Sequence, residues 1–128
     1  MGIYGFLSVG LGAAFGAWLR WWLGVLFNPV FPSLPLGTLA ANLLGGYLVG
    51  VAIAFFSHSS LPPEARLFVI TGFMGGLTTF STFSAEVVTA FSRSEYLWGS
   101  VEAGIHLFGS FAMTALGMLT VGLIRRTL

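Results

Sequence analysis

The chain has 128 residues, of which 56% are hydrophobic and 7% charged, with a net charge of +1 and no cysteine. A soluble domain carries about a quarter charged residues, so this chain lacks the groups for a water-facing surface and reads as an all-α protein dissolved in lipid. Without cysteine there are no disulfides, thiol nucleophiles or thiolate metal sites, and a charge near zero gives no field for nucleic acid.

A membrane-crossing helix needs about 20 mostly apolar residues, so this length predicts four of them in a single transmembrane domain over residues 1–128. The first span covers residues 3–26 and has no Lys or Arg ahead of its apolar run, so it is expected to stay in the mature protein rather than be cleaved as a signal. Towards its end lie Arg20, Trp21 and Trp22, residue types that collect at a membrane interface. Pro29, Pro32 and Pro35 then mark a connection that cannot continue a helix. The second span is residues 36–56, followed by a polar turn over 57–63. The third is residues 65–91, and the fourth is residues 96–124, with Arg125 and Arg126 as its stop.

Four spans put both termini on one side, so Arg66, Arg125 and Arg126 face one way and Arg20 and Arg93 the other. So even a count leaves two readings open. Either the chain inserts both ways round and opposite copies pair as an antiparallel dimer, or Arg125 and Arg126 alone set one orientation. The 18 glycines include Gly12 with Gly16, Gly46 with Gly50 and Gly72 with Gly76, spaced to let helix backbones approach closely.

Polar groups in hydrocarbon must face a helix partner or a water-filled path. Thr38 and Asn42 are four apart on one face of the second span, which suits an interhelical bond or a pore lining. His106, Ser110 and Thr114 repeat that spacing on the fourth span, a polar stripe suited to a continuous track of hydrogen bonds. The segment GGLTTFSTFSAE at residues 75–86 is the least apolar part of any span. Gly75 and Gly76 weaken a helix, and the hydroxyls of Thr78, Thr79, Ser81, Thr82 and Ser84 compete for backbone partners, so a local break is expected there. Phe80, Phe83 and Glu86 follow at steps of three on one face. The two rings carry positive edges suited to an anion, or else simply pack. No nucleophile, base and orienting group come together, so no enzyme is expected.

The strings GAWLRWWLG, GTLAANLLGGYLVG, TGFMGGLTTFSTFSAE and HLFGSFAMTALG together resemble the small bacterial fluoride channels called Fluc or CrcB, nearly end to end. The resemblance implies an inner-membrane, antiparallel dual-topology homodimer with two fluoride pores and one structural sodium ion. It implies passive fluoride export and resistance to the ion. By motif, Phe80 and Phe83 are the rings beside the fluoride path and Asn42 is its amide. Thr79, Ser81, Thr82 and Glu86 extend that path, Thr38 and Ser110 line or support it, and Arg20 belongs to the vestibule. The backbone carbonyls of Gly75 and Thr78 would hold the sodium. A proton-coupled exporter of the small multidrug type is the chief rival, but it relies on a carboxylate in the first span and none stands there. A non-transporting assembly subunit is the other.

Overall fold

The structure, a computed structural model, describes residues 2–128, and all its regular elements are helical. Helix α1 is Ile3–Phe27, α2 is Leu36–Phe56, α3 is Pro63–Arg66, α4 is Gly75–Leu77, α5 is Phe80–Ser92 and α6 is Tyr96–Thr127. A π-helical stretch, Leu67–Met74, joins α3 to α4, so α3 to α5 form one membrane-length span, Pro63–Ser92. With Ile3–Val30, Leu36–Phe56 and Tyr96–Thr127 this makes 4 spans long and apolar enough to cross a membrane among the described residues. Large apolar side chains such as Phe6, Trp21 and Phe108 face outward, as they do where the solvent is lipid.

The ends of two spans differ from the sequence expectation. The third begins at Pro63, because proline at the first helical position gives up an N–H that has no partner there anyway. The fourth runs through Arg125 and Arg126 instead of stopping at them. Arg125 Nη2 donates to the Phe55 carbonyl at 3.3 Å, placing a cation at the C-terminal end of α2, where the helix dipole favours one.

The glycines sort the spans into pairs. α1 packs against the third span and α2 against α6. A methyl group on Gly72 would lie 3.0 Å from the Gly12 Cα, and one on Gly76 would lie 3.0 Å from the Ala17 nitrogen, so backbones touch at this crossing. A methyl on Gly50 would meet the Thr114 carbonyl and lie 3.1 Å from the Met118 nitrogen. Backbone cannot yield as a side-chain end can, so Gly76→Val is expected to cost about 3 kcal/mol or more by overpacking. Thermal unfolding of the purified protein in detergent measures that loss.

The connection after α1 has a structural task. Asn28 Oδ1 accepts from the Gly37 and Thr38 amides at 2.8 and 3.0 Å, capping α2 from outside it, since Pro35 at the N-cap has no side chain that accepts a bond. Asn28→Ala is expected to lower stability by about 1 kcal/mol, read in the same unfolding experiment.

Candidate functional site

Between α4 and α5 the chain leaves the helix for two residues. Gly75 itself remains helical (φ −62, ψ −38), whereas Thr78 (φ −82, ψ 151) and Thr79 (φ −146, ψ 118) are extended. The departure falls on the threonines because their groups find other partners. Thr78 Oγ1 donates back to the Met74 carbonyl at 2.8 Å, and the Thr79 amide donates to Asn42 Oδ1 at 2.7 Å rather than to Gly75, four residues back. Thr79 Oγ1 then caps α5 by accepting from the Thr82 amide at 3.1 Å, which turns that amide away from the Thr78 carbonyl. The Gly75 and Thr78 carbonyls thus both lack their usual helical donor. They are neutral, hard oxygen donors of the type a sodium ion takes.

Asn42 organises the junction. Its orientation is dictated by the backbone: the Thr79 N–H can only donate, so the atom facing it is Oδ1, and Nδ2 donates to the Thr79 carbonyl at 3.0 Å. The second Nδ2 proton points at His106 Nδ1, 3.0 Å away, which must therefore accept. The imidazole proton is left on Nε2, so His106 is a neutral ring held by Asn42. Its plane stacks on Phe83 with centroids 4.4 Å apart and 21° between planes, and Phe83 meets Phe80 edge-on at 5.7 Å and 78°. The three rings form a column along one groove of about 380 Å³, which Asn42 and Ser110 also line. Phe80 is 77% exposed at its open side.

The polar stripe of α6 does not bond along its own length. His106 bonds across to Asn42 and Thr114 donates to the Gly46 carbonyl at 3.0 Å, so both reach α2. Thr38 and Asn42 share their face as their spacing predicts, and both reach the third span. Thr38, 4% exposed, donates its hydroxyl to Glu86 Oε1 at 2.5 Å. Glu86 and Thr82 line a second cavity of about 300 Å³ together with Arg93, Glu95 and Glu102. Ser81 stands at the exposed start of α5, its Oγ 3.5 Å from Thr79 Oγ1. Arg20 is half-buried; its Nε donates to the Gly76 carbonyl at 3.0 Å, next to the end of α4, where the helix dipole favours a cation.

One residue of this region escaped the sequence reading. Glu102 is 1% exposed and sits one turn before His106, which is 3% exposed, with its Oε1 3.9 Å from His106 Nε2. The signal was available: a carboxylate inside an apolar span is itself unusual.

Comparison with known proteins now adds a family to this geometry. The family described as CrcB-like protein, Camphor Resistance (CrcB), matches residues 7–118. A protein of Nitrosospira multiformis named Fluoride-specific ion channel FluC is 65% identical over 122 residues, 94% of this chain and 95% of the relative. Proteins of the same name from Thiobacillus denitrificans, 60% identical over 121 residues with 94% and 98% covered, and Cupriavidus necator, 58% identical over 125 residues with 97% and 99% covered, are likewise similar. A match over most of the chain, together with four membrane-length helices, makes this a multi-pass membrane protein that belongs to the CrcB-like family.

Proposed function

We propose that the chain is a fluoride-selective channel of the inner membrane, working as an antiparallel, dual-topology homodimer with two pores, and that passive fluoride export gives resistance to the ion. The observation that carries this reading is the groove in which Asn42, Phe80, Phe83 and His106 converge without a full positive charge. Fluoride is small and holds its water tightly, so a pore must offer closely spaced donors and positive ring edges that replace water yet release the ion. A fixed cation in the narrow part would trap it. Asn42 holds the rings and the Thr79 backbone in register, while Ser110, the hydroxyls of Thr79, Ser81 and Thr82, and the Thr38–Glu86 pair continue the polar path. Arg20 keeps a positive charge near the vestibule while tying α1 to Gly76.

The open side of the groove at Phe80 supports a second copy as its cover, and the split of arginines, three against two, supports opposite orientation of that copy. The Gly75 and Thr78 carbonyls fit a structural sodium ion, since both have lost their helical donor and neither is charged. These carbonyls would hold the ion, which would supply a fixed positive charge at the junction. The chain's own contribution is to keep these carbonyls free, through Asn42 and the Thr79 cap.

The test uses purified protein in potassium-loaded liposomes, with external fluoride followed by an electrode after valinomycin is added. Rapid fluoride efflux, without chloride efflux and without a pH gradient, is the expected result. Well-folded vesicles that release no fluoride would sink the reading, and efflux strictly dependent on a proton gradient would replace the channel with an exporter.

A further inference from the structure

Among the described residues, three buried side-chain polar atoms have no hydrogen-bond partner: Glu86 Oε2, Glu102 Oε1 and His106 Nε2. They belong to one neighbourhood. Glu86 on α5 and Glu102 on α6 line the same cavity, and each has a buried carboxyl oxygen without a partner. Two carboxylates that meet in a buried site repel, and each ionised oxygen left unpaired there is costly. A cation would resolve the conflict, yet the groups facing the pair do not supply one. His106 is neutral, because its Nδ1 accepts from Asn42, and its Nε2 stays 3.9 Å from Glu102. Arg93 lines the cavity with Glu95 but makes no ion pair with either glutamate among the described residues. On the other side of Glu86, Thr38 contributes a hydroxyl and no charge.

We propose that Glu102 is a positioning residue, which fixes Glu86 on the ion path through one proton shared between the two carboxyl groups. Thr38 holds Glu86 from the α2 side and Glu102 holds it from the α6 side, so the Glu86 carboxyl is clamped across three helices. The pair then carries one negative charge rather than two. That halves the repulsion an anion meets beside Thr82 and Glu86 while keeping the acceptor oxygens in a fixed geometry. The role of Glu86 rests on the fluoride reading above; the shared proton does not.

The full-length protein in liposomes tests both halves. Infrared spectra at neutral pH should contain the C=O band of a protonated carboxyl group, shifted on transfer to deuterium oxide and lost in Glu102→Gln. Glutamine keeps a donor for Glu86, so Glu102→Gln should conduct fluoride close to the wild-type rate. Glu102→Ala should fall by about tenfold, the equivalent of one lost hydrogen bond to a charged group. A wild-type spectrum without the protonated band overturns the shared proton, whatever the alanine variant does and even if it fails to fold. Equal impairment in the glutamine and alanine variants overturns the positioning role, as does wild-type flux in Glu102→Ala. If the wild-type protein itself passes no fluoride, the channel reading fails, and the infrared band still decides the carboxyl pair.

Discussion

Replacing Asn42 by alanine is expected to reduce fluoride efflux by at least about 100-fold and to destabilise the protein by roughly 3 kcal/mol. The stability figure follows from three bonds lost at once: the Thr79 amide at 2.7 Å, the Thr79 carbonyl at 3.0 Å and His106 Nδ1 at 3.0 Å. Each is worth about 1 kcal/mol net, and the orphaned backbone groups of an extended segment raise the total. The larger effect on transport has a different source. Once released from Asn42, the Thr79 amide is free to return to the Gly75 carbonyl, which would close the junction into a helix and move Phe80. Asn42→Asp tests the two donors. It keeps the acceptor for the Thr79 amide but turns a charged oxygen toward the Thr79 carbonyl and His106 Nδ1, so efflux should fall as far as in alanine and stability at least as far. Electrode flux and thermal unfolding of both variants provide the comparison; full flux in Asn42→Ala would remove the amide from the path.

Phe80→Ile and Phe83→Ile are each expected to cut fluoride efflux by at least about tenfold, since isoleucine matches the bulk of a ring but lacks its positive edge. Their effects on stability should differ. Phe80 is largely exposed in the single chain and touches Phe83 edge-on, so its replacement should leave unfolding of the protomer almost unchanged. Phe83 stacks on His106, and losing that face should cost about 1 kcal/mol. Unchanged flux in both variants, measured in liposomes with dimer content checked by cross-linking, would reduce the rings to packing residues.

The second cavity shows where a single chain of letters runs short. Glu86 was visible as a carboxylate within a span, but spacing alone left it free to pair, to stay protonated or to face water. Its neighbours come from α2 and α6, 48 and 16 residues away in the sequence, and only the packing of those helices puts Thr38 and Glu102 against it. Arg20 is similar. An arginine beside two tryptophans suggests a side chain reaching for the interface, whereas the close approach of α1 to the third span puts the Gly76 carbonyl within its reach.

Solvent and span number were determined by composition and by the lengths of apolar runs, because hydrocarbon admits few charges and a fixed thickness sets the length of each helix. The small-residue spacing likewise announced close helix crossings, and the 75–86 segment announced a conflict over backbone partners. Which crossing joined which helices was decided only in three dimensions, since the same glycine spacing occurs in three spans and carries no address. The place where the third span leaves the helix was decided there too. Glycine weakens a helix anywhere, but Thr78 and Thr79 become extended because Asn42, 37 residues upstream of Thr79, competes for the backbone of Thr79. A hydrogen bond of that range leaves no periodic trace in the sequence.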